Sequence, residues 1–95
     1  MTTPTLSPDA LAAGVSNLDH WSLRDGALAR DFRFVDFPAA MAFMVRVGFA
    51  AEAAGHHPDW TNVYNKVSIR LNTHDAGGAV TKKDLELAAA IDLVA

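Results

Sequence analysis

The chain has 95 residues, 51% of them apolar, a formal net charge of −3 and no cysteine. That length holds one domain, residues 1–95, and the acidic balance, with a pI of about 5.7, supplies no basic field for a nucleic-acid backbone. The lack of cysteine excludes disulfides and thiolate metal sites and suits a reducing compartment.

Met1-Thr2-Thr3-Pro4 has neither the basic nor the apolar stretch of a signal peptide, so a cytoplasmic location is expected. The apolar segment Phe37–Ala51 is read as too short for a membrane span and carries Arg46. A domain this small buries only roughly 60–65% of its unfolded surface, so its generous apolar content points to a partner subunit.

Taken in order, Ser7-Pro8-Asp9 is a helix start, with Ser7 as N-cap and Leu6 and Leu11 placed as a hydrophobic staple. Gly14 is read as its end. His20 to Arg24 and Ala27 to Val35 alternate around Asp25-Gly26, which predicts a hairpin. Trp21 and Leu23 share one face of it, and Phe32 and Phe34 share one face of the second strand. Arg30 is in phase with those phenylalanines, so that end of the strand is expected to leave the core. Asp36 caps a long helix, Phe37 to Ala54, with Pro38 in its first turn. Ala40, Phe43, Val47, Ala51 and Ala54 form one stripe of this helix; Met41, Met44, Val45 and Gly48 form another. A helix apolar nearly all round needs cover on more than one side.

The helix breaks at Gly55, and His56-His57-Pro58 follow at a corner no helix can cross. Two of the chain's four histidines thus sit side by side after Glu52, and imidazole is the side chain that titrates near neutral pH without help. Trp60–Tyr64 and Val67–Thr73 read as two strands, with Val67, Ile69, Leu71 and Thr73 on one face and His74 at a strand end, pointing away from the apolar side. Asp75 to Gly78 is a loop. Thr81-Lys82-Lys83-Asp84 is a capping-box variant opening a helix with Leu87, Ala88, Ile91 and Val94 inward. Asp84 lies on that inward stripe, an odd place for a carboxylate that only caps. The order predicts an α+β domain, a single four-stranded antiparallel sheet with helices packed on one face.

Glu52-x-x-x-His56-His57-Pro58-x-Trp60-x-x-x-Tyr64, then Asn65-Lys66-Val67, Thr73-His74 and Thr81-x-x-Asp84-Leu85, resembles the pterin-4a-carbinolamine dehydratases over most of the chain. The resemblance implies loss of water from a 4a-hydroxytetrahydropterin to give the quinonoid dihydropterin, recycled for aromatic amino-acid hydroxylases. It makes His56, His57 and His74 the catalytic histidines, with His56 the principal acid/base, His74 its partner across the pterin and His57 a binding residue. Glu52, Pro58, Trp60, Thr73 and Asp75 fall to pterin binding, with Trp60 more a wall than a stacking plate. Tyr64 and Asp84 are supports.

Acid/base groups with pKa near the working pH do this chemistry best, so neither metal nor cofactor is expected. A zinc site built from the three histidines with Glu52 or Asp75 is the weaker alternative, since adjacent histidines rarely meet at one ion. The resemblance further implies a homo-oligomer, a tetramer before a dimer. It leaves open a non-enzymatic reading as a dimerisation cofactor of a homeodomain transcription factor, through the oligomerising helix.

Overall fold

The three α-helices among residues 2–95, the part of the chain that this computed structural model describes, each begin behind a capping side chain. In α1 (Pro8–Ser16) the Ser7 hydroxyl accepts from Ala10 N–H at 3.1 Å. In α2 (Phe37–Ala54) Asp36 accepts from Ala39 N–H at 2.9 Å. In α3 (Lys82–Val94) Thr81 accepts from Lys83 N–H, and Asp84 reaches back to Thr81 N–H at 2.8 Å, the reciprocal capping box. Each cap satisfies a donor that the first helical turn leaves without a partner.

Strands β1 (Ser22–Arg24), β2 (Ala27–Arg33), β3 (Asp59–Val63) and β4 (Lys66–Leu71) form one antiparallel sheet in the order β1-β2-β4-β3. Its helix-covered face carries Leu28, Phe32, Val67, Ile69 and Leu71, which join Phe43 and Val47 of α2 and Leu87 and Ile91 of α3 in one core. The α+β architecture expected from the element order is therefore the one observed. Phe43 is fully buried, with ring centroids 4.7 Å from Phe32 and 4.8 Å from Phe34. Truncating it to alanine should cost about 3–5 kcal/mol, the usual range for a buried aromatic, read as a lower midpoint in urea unfolding.

Several local readings need correction. Gly14 does not end α1, which runs on to Ser16 with Asn17 as C-cap. A Cβ there would strike the Leu85 side chain, so the glycine marks a close approach between α1 and α3. Leu23 is half exposed while Trp21 is buried, because β1 is an edge strand that the helices cover only at its start.

Arg30 stays over the core instead of leaving it. Its guanidinium lies 4.2 Å from the Phe32 ring centroid and 2.7 Å from Asp92, whose carboxylate also accepts from Trp21 Nε1. An arginine can keep its stem on apolar surface while its head finds a partner. The β3–β4 turn falls at Tyr64-Asn65, one residue earlier than expected, with Tyr64 in the left-handed region. Ala54 is exposed, not on the buried stripe.

Helix α2 also extends past the apolar segment. Over its 18 residues it has a mean hydropathy of 1.3, enough by length and composition to cross a bilayer. Its stripe of Ala40, Phe43, Val47 and Ala51 is instead buried in the domain core. What stays uncovered is the opposite run Phe37, Met41, Val45 and Phe49.

Candidate active site

The site grows out of the way α2 stops. Gly55 takes φ 63°, a left-handed conformation that side chains resist. The His56 N–H then bonds back to Ala51 O at 3.1 Å. This tight reversal sends two consecutive imidazoles in different directions. His56 turns inward, its side chain 11% exposed, with Nε2 2.5 Å from Asp84 Oδ1. His57 turns outward, with Nε2 2.9 Å from Glu52 Oε1, and both partners are largely exposed.

Asp84 is completely buried at the N-terminus of α3. Besides the contact with His56 it accepts from Thr73 Oγ1–H at 2.8 Å and from Thr81 N–H at 2.8 Å. Both of those donors fall on Oδ2, so Oδ1 is left to His56. Toward an ionised Asp84 a neutral His56 donates from Nε2, which leaves Nδ1 as the ring atom free to work. Through Asp84 the corner after α2 is joined to the end of β4, and the exposed His74 follows Thr73 directly. His56, His57 and His74 thus lie at one end of the β3–β4 hairpin. Among the described residues no cavity encloses this end, and no three His, Asp or Glu side chains converge as metal ligands would.

Other candidate residues fall elsewhere. Thr73 offers nothing to a pterin within one chain. Its hydroxyl goes to Asp84 and Thr81, its N–H to Ala79 O, and its carbonyl accepts from Ala76 and Gly78 N–H. Thr73 has also left the strand, keeping only an isolated bridge to Ala79 before a 3₁₀ turn, His74–Ala76. Asp75 is taken by the N-terminal segment, since Thr3 N–H donates to its Oδ1 at 3.1 Å. Hydrogen bonding from the Thr3 side chain, and then from its backbone, holds the Asp75 carboxyl below the usual carboxylate range.

Tyr64 lies apart from this site within one chain. It sits at the turn beyond the other end of β3, roughly 15–20 Å away at the rise of an extended strand. Trp60 pairs with Ile69 and packs half-buried against the core. Pro58 is half-buried beside the two histidines. The participation of Thr81, beyond its cap, was not visible in the sequence; the signal available was a carboxylate on an inward helical stripe, three residues after a threonine.

The protein is thus an α+β domain whose helix-backed antiparallel sheet carries a part-buried His–Asp pair and two exposed histidines at one end. The family model described as pterin 4 alpha carbinolamine dehydratase matches residues 4–94. A relative in Chloroflexus aurantiacus, assigned by name to the pterin-4-alpha-carbinolamine dehydratases, is 52% identical over 94% of this chain and 95% of its own. One in Mesorhizobium japonicum, similarly named, is 54% identical over 93% and 91%. A crystal structure described as a transcriptional coactivator/pterin dehydratase from Brucella melitensis superposes with a TM-score of 0.91 at 34% identity, covering 97% of this chain and 99% of that one. The chain belongs to the pterin-4a-carbinolamine dehydratase family, a family of hydro-lyases.

Proposed function

We propose that the protein removes water from a 4a-hydroxytetrahydropterin to give the quinonoid dihydropterin, by histidine acid/base catalysis, in the recycling of tetrahydropterin for an aromatic amino-acid hydroxylase. The observation that carries this reading is the part-buried His56–Asp84 pair, which holds the ring by Nε2 and leaves Nδ1 for acid/base work. In the reaction the C4a–O bond breaks as the hydroxyl takes a proton and departs as water. The N5 lone pair closes a C4a=N5 double bond, and N5 gives up its hydrogen. A charged His56 donates the Nδ1 proton to the leaving oxygen while its Nε2–H stays on Asp84, which stabilises the imidazolium. Neutral His74 takes the N5 proton. Glu52 orients His57, which holds the pterin with Pro58 and the Trp60 wall. Location in the cytoplasm and work as a homo-oligomer belong to the same reading.

The purified protein should dehydrate 4a-hydroxytetrahydropterin well above the uncatalysed rate; no acceleration would refute the proposal. On this reading no metal or cofactor takes part, since the histidines supply both the acid and the base. Prolonged chelation should leave the rate unchanged, and loss of activity restored by zinc would overturn this part.

A second reading follows from the description of the Brucella neighbour as a coactivator and from the uncovered face of α2. That face would then hold a protein partner in a dimerisation-cofactor role. A wild-type protein with no dehydratase activity despite correct folding would favour it.

A further inference from the structure

An N-cap hydroxyl ordinarily sits at the protein surface, yet that of α3 is fully buried and linked to another element. Thr81 Oγ1 lies 2.7 Å from Thr73 Oγ1, itself in a side chain only 2% exposed. Buried hydroxyls are costly unless bonded, and here the bonds admit one direction. The Thr73 hydroxyl donates to Asp84 Oδ2 at 2.8 Å. Thr81 must then donate to Thr73, and its own oxygen accepts from Lys83 N–H. All the hydrogens run toward the carboxylate.

Asp84 Oδ2 is thus pinned by two donors, the Thr73 hydroxyl and the Thr81 amide, and Oδ1 is left in a single direction, toward His56. We propose that Thr81 and Thr73 are positioning residues for the dehydration, a two-hydroxyl relay that locks the Asp84 carboxylate and through it the Nε2–H tautomer of His56. Neither side chain is exposed enough to touch substrate, so the relay acts on turnover and not on binding. The inference rests on the dehydratase reading for its kinetic consequence, but the tautomer it fixes exists without any reaction.

The experiment uses Thr73→Val, Thr81→Ala and Thr81→Ser in the full chain, with kinetics on 4a-hydroxytetrahydropterin and imidazole ¹⁵N NMR of His56. Thr73→Val should lower kcat by about tenfold or more with KM within about twofold, the usual scale for partners that orient a working group. Its His56 should shift from the Nε2–H tautomer to a mixture. Thr81→Ser should keep wild-type kcat and tautomer. In the Thr73→Val background Thr81→Ala should add little further loss of kcat, since groups acting in series are not additive.

Should Thr81→Ala fail to fold, Thr73→Val decides alone, because the Thr73 side chain makes no capping bond to the 3₁₀ turn it precedes. A folded Thr73→Val protein with unchanged kcat and an unchanged His56 tautomer would overturn the relay. A wild type that shows the Nε2–H tautomer, lost in Thr73→Val, but no dehydratase activity would uphold the relay and refute the proposed function instead.

Discussion

His56→Ala should turn over 4a-hydroxytetrahydropterin about a hundredfold more slowly than wild type, or worse, the scale expected when a positioned acid/base is removed. His74→Ala should lose a comparable factor, whereas His57→Ala should mainly raise KM, since its ring stands in the open beside Glu52. Asp84→Asn discriminates more sharply than any of these. The amide oxygen can still accept from Thr73 and Thr81, so the NH2 would face His56. Nε2 would then have to accept, the ring hydrogen would move to Nδ1, and the neutral ring could give that proton up only by becoming an imidazolate, without the charged form that Asp84 stabilises. A loss of kcat of about a hundredfold with little change in KM is expected, as for other histidines held in the wrong tautomer. Steady-state kinetics of the four variants settle it: near-normal kcat in both His56→Ala and His74→Ala would sink the mechanism.

What could be read from the sequence was whatever local chemistry decides. The limits of α2 follow from Asp36, Pro38 and Gly55, residues whose effect needs no tertiary context. The same reasoning failed at Gly14, because there the glycine answers to Leu85, 71 positions later, and not to its own helix. Periodicity put Asp84 on the inward face of α3 without saying why; its donors come from the α2 corner, the end of β4 and the helix's own cap, and no spacing rule joins those three. Adjacency likewise hid the division between His56 and His57. Only the left-handed turn at Gly55 shows that one goes inward to a buried carboxylate and the other outward to Glu52. Arg30 was misplaced for a similar reason, since Asp92 and the Phe32 ring were needed to keep it over the core.

The protein should assemble in solution through α2, and Val45→Glu should break that assembly while leaving the fold intact. The sequence puts Val47 and Val45 on two apolar stripes, and the structure separates them. Val47 is fully buried in the core, so a carboxylate there would unfold the domain; Val45 is half exposed. It stands in the row Phe37, Met41, Val45 and Phe49, four residues apart and so on one side of the helix, along about 18 Å of it. Phe49, outside both stripes read from the sequence, is 75% exposed and is the most exposed side chain of the row. Burying a ring of that kind contributes about 1.5–3 kcal/mol, so a few such residues against their counterparts in a second copy would offset much of the entropy of association. The small residue Gly48, half-buried at the margin with open space above it, allows another helix to come close. Light scattering at micromolar concentration should give a multimer mass for the wild type, a tetramer before a dimer, and a smaller mass for Val45→Glu with an unchanged circular dichroism spectrum. A wild type of monomer mass would show that this face serves something other than a second copy of the chain.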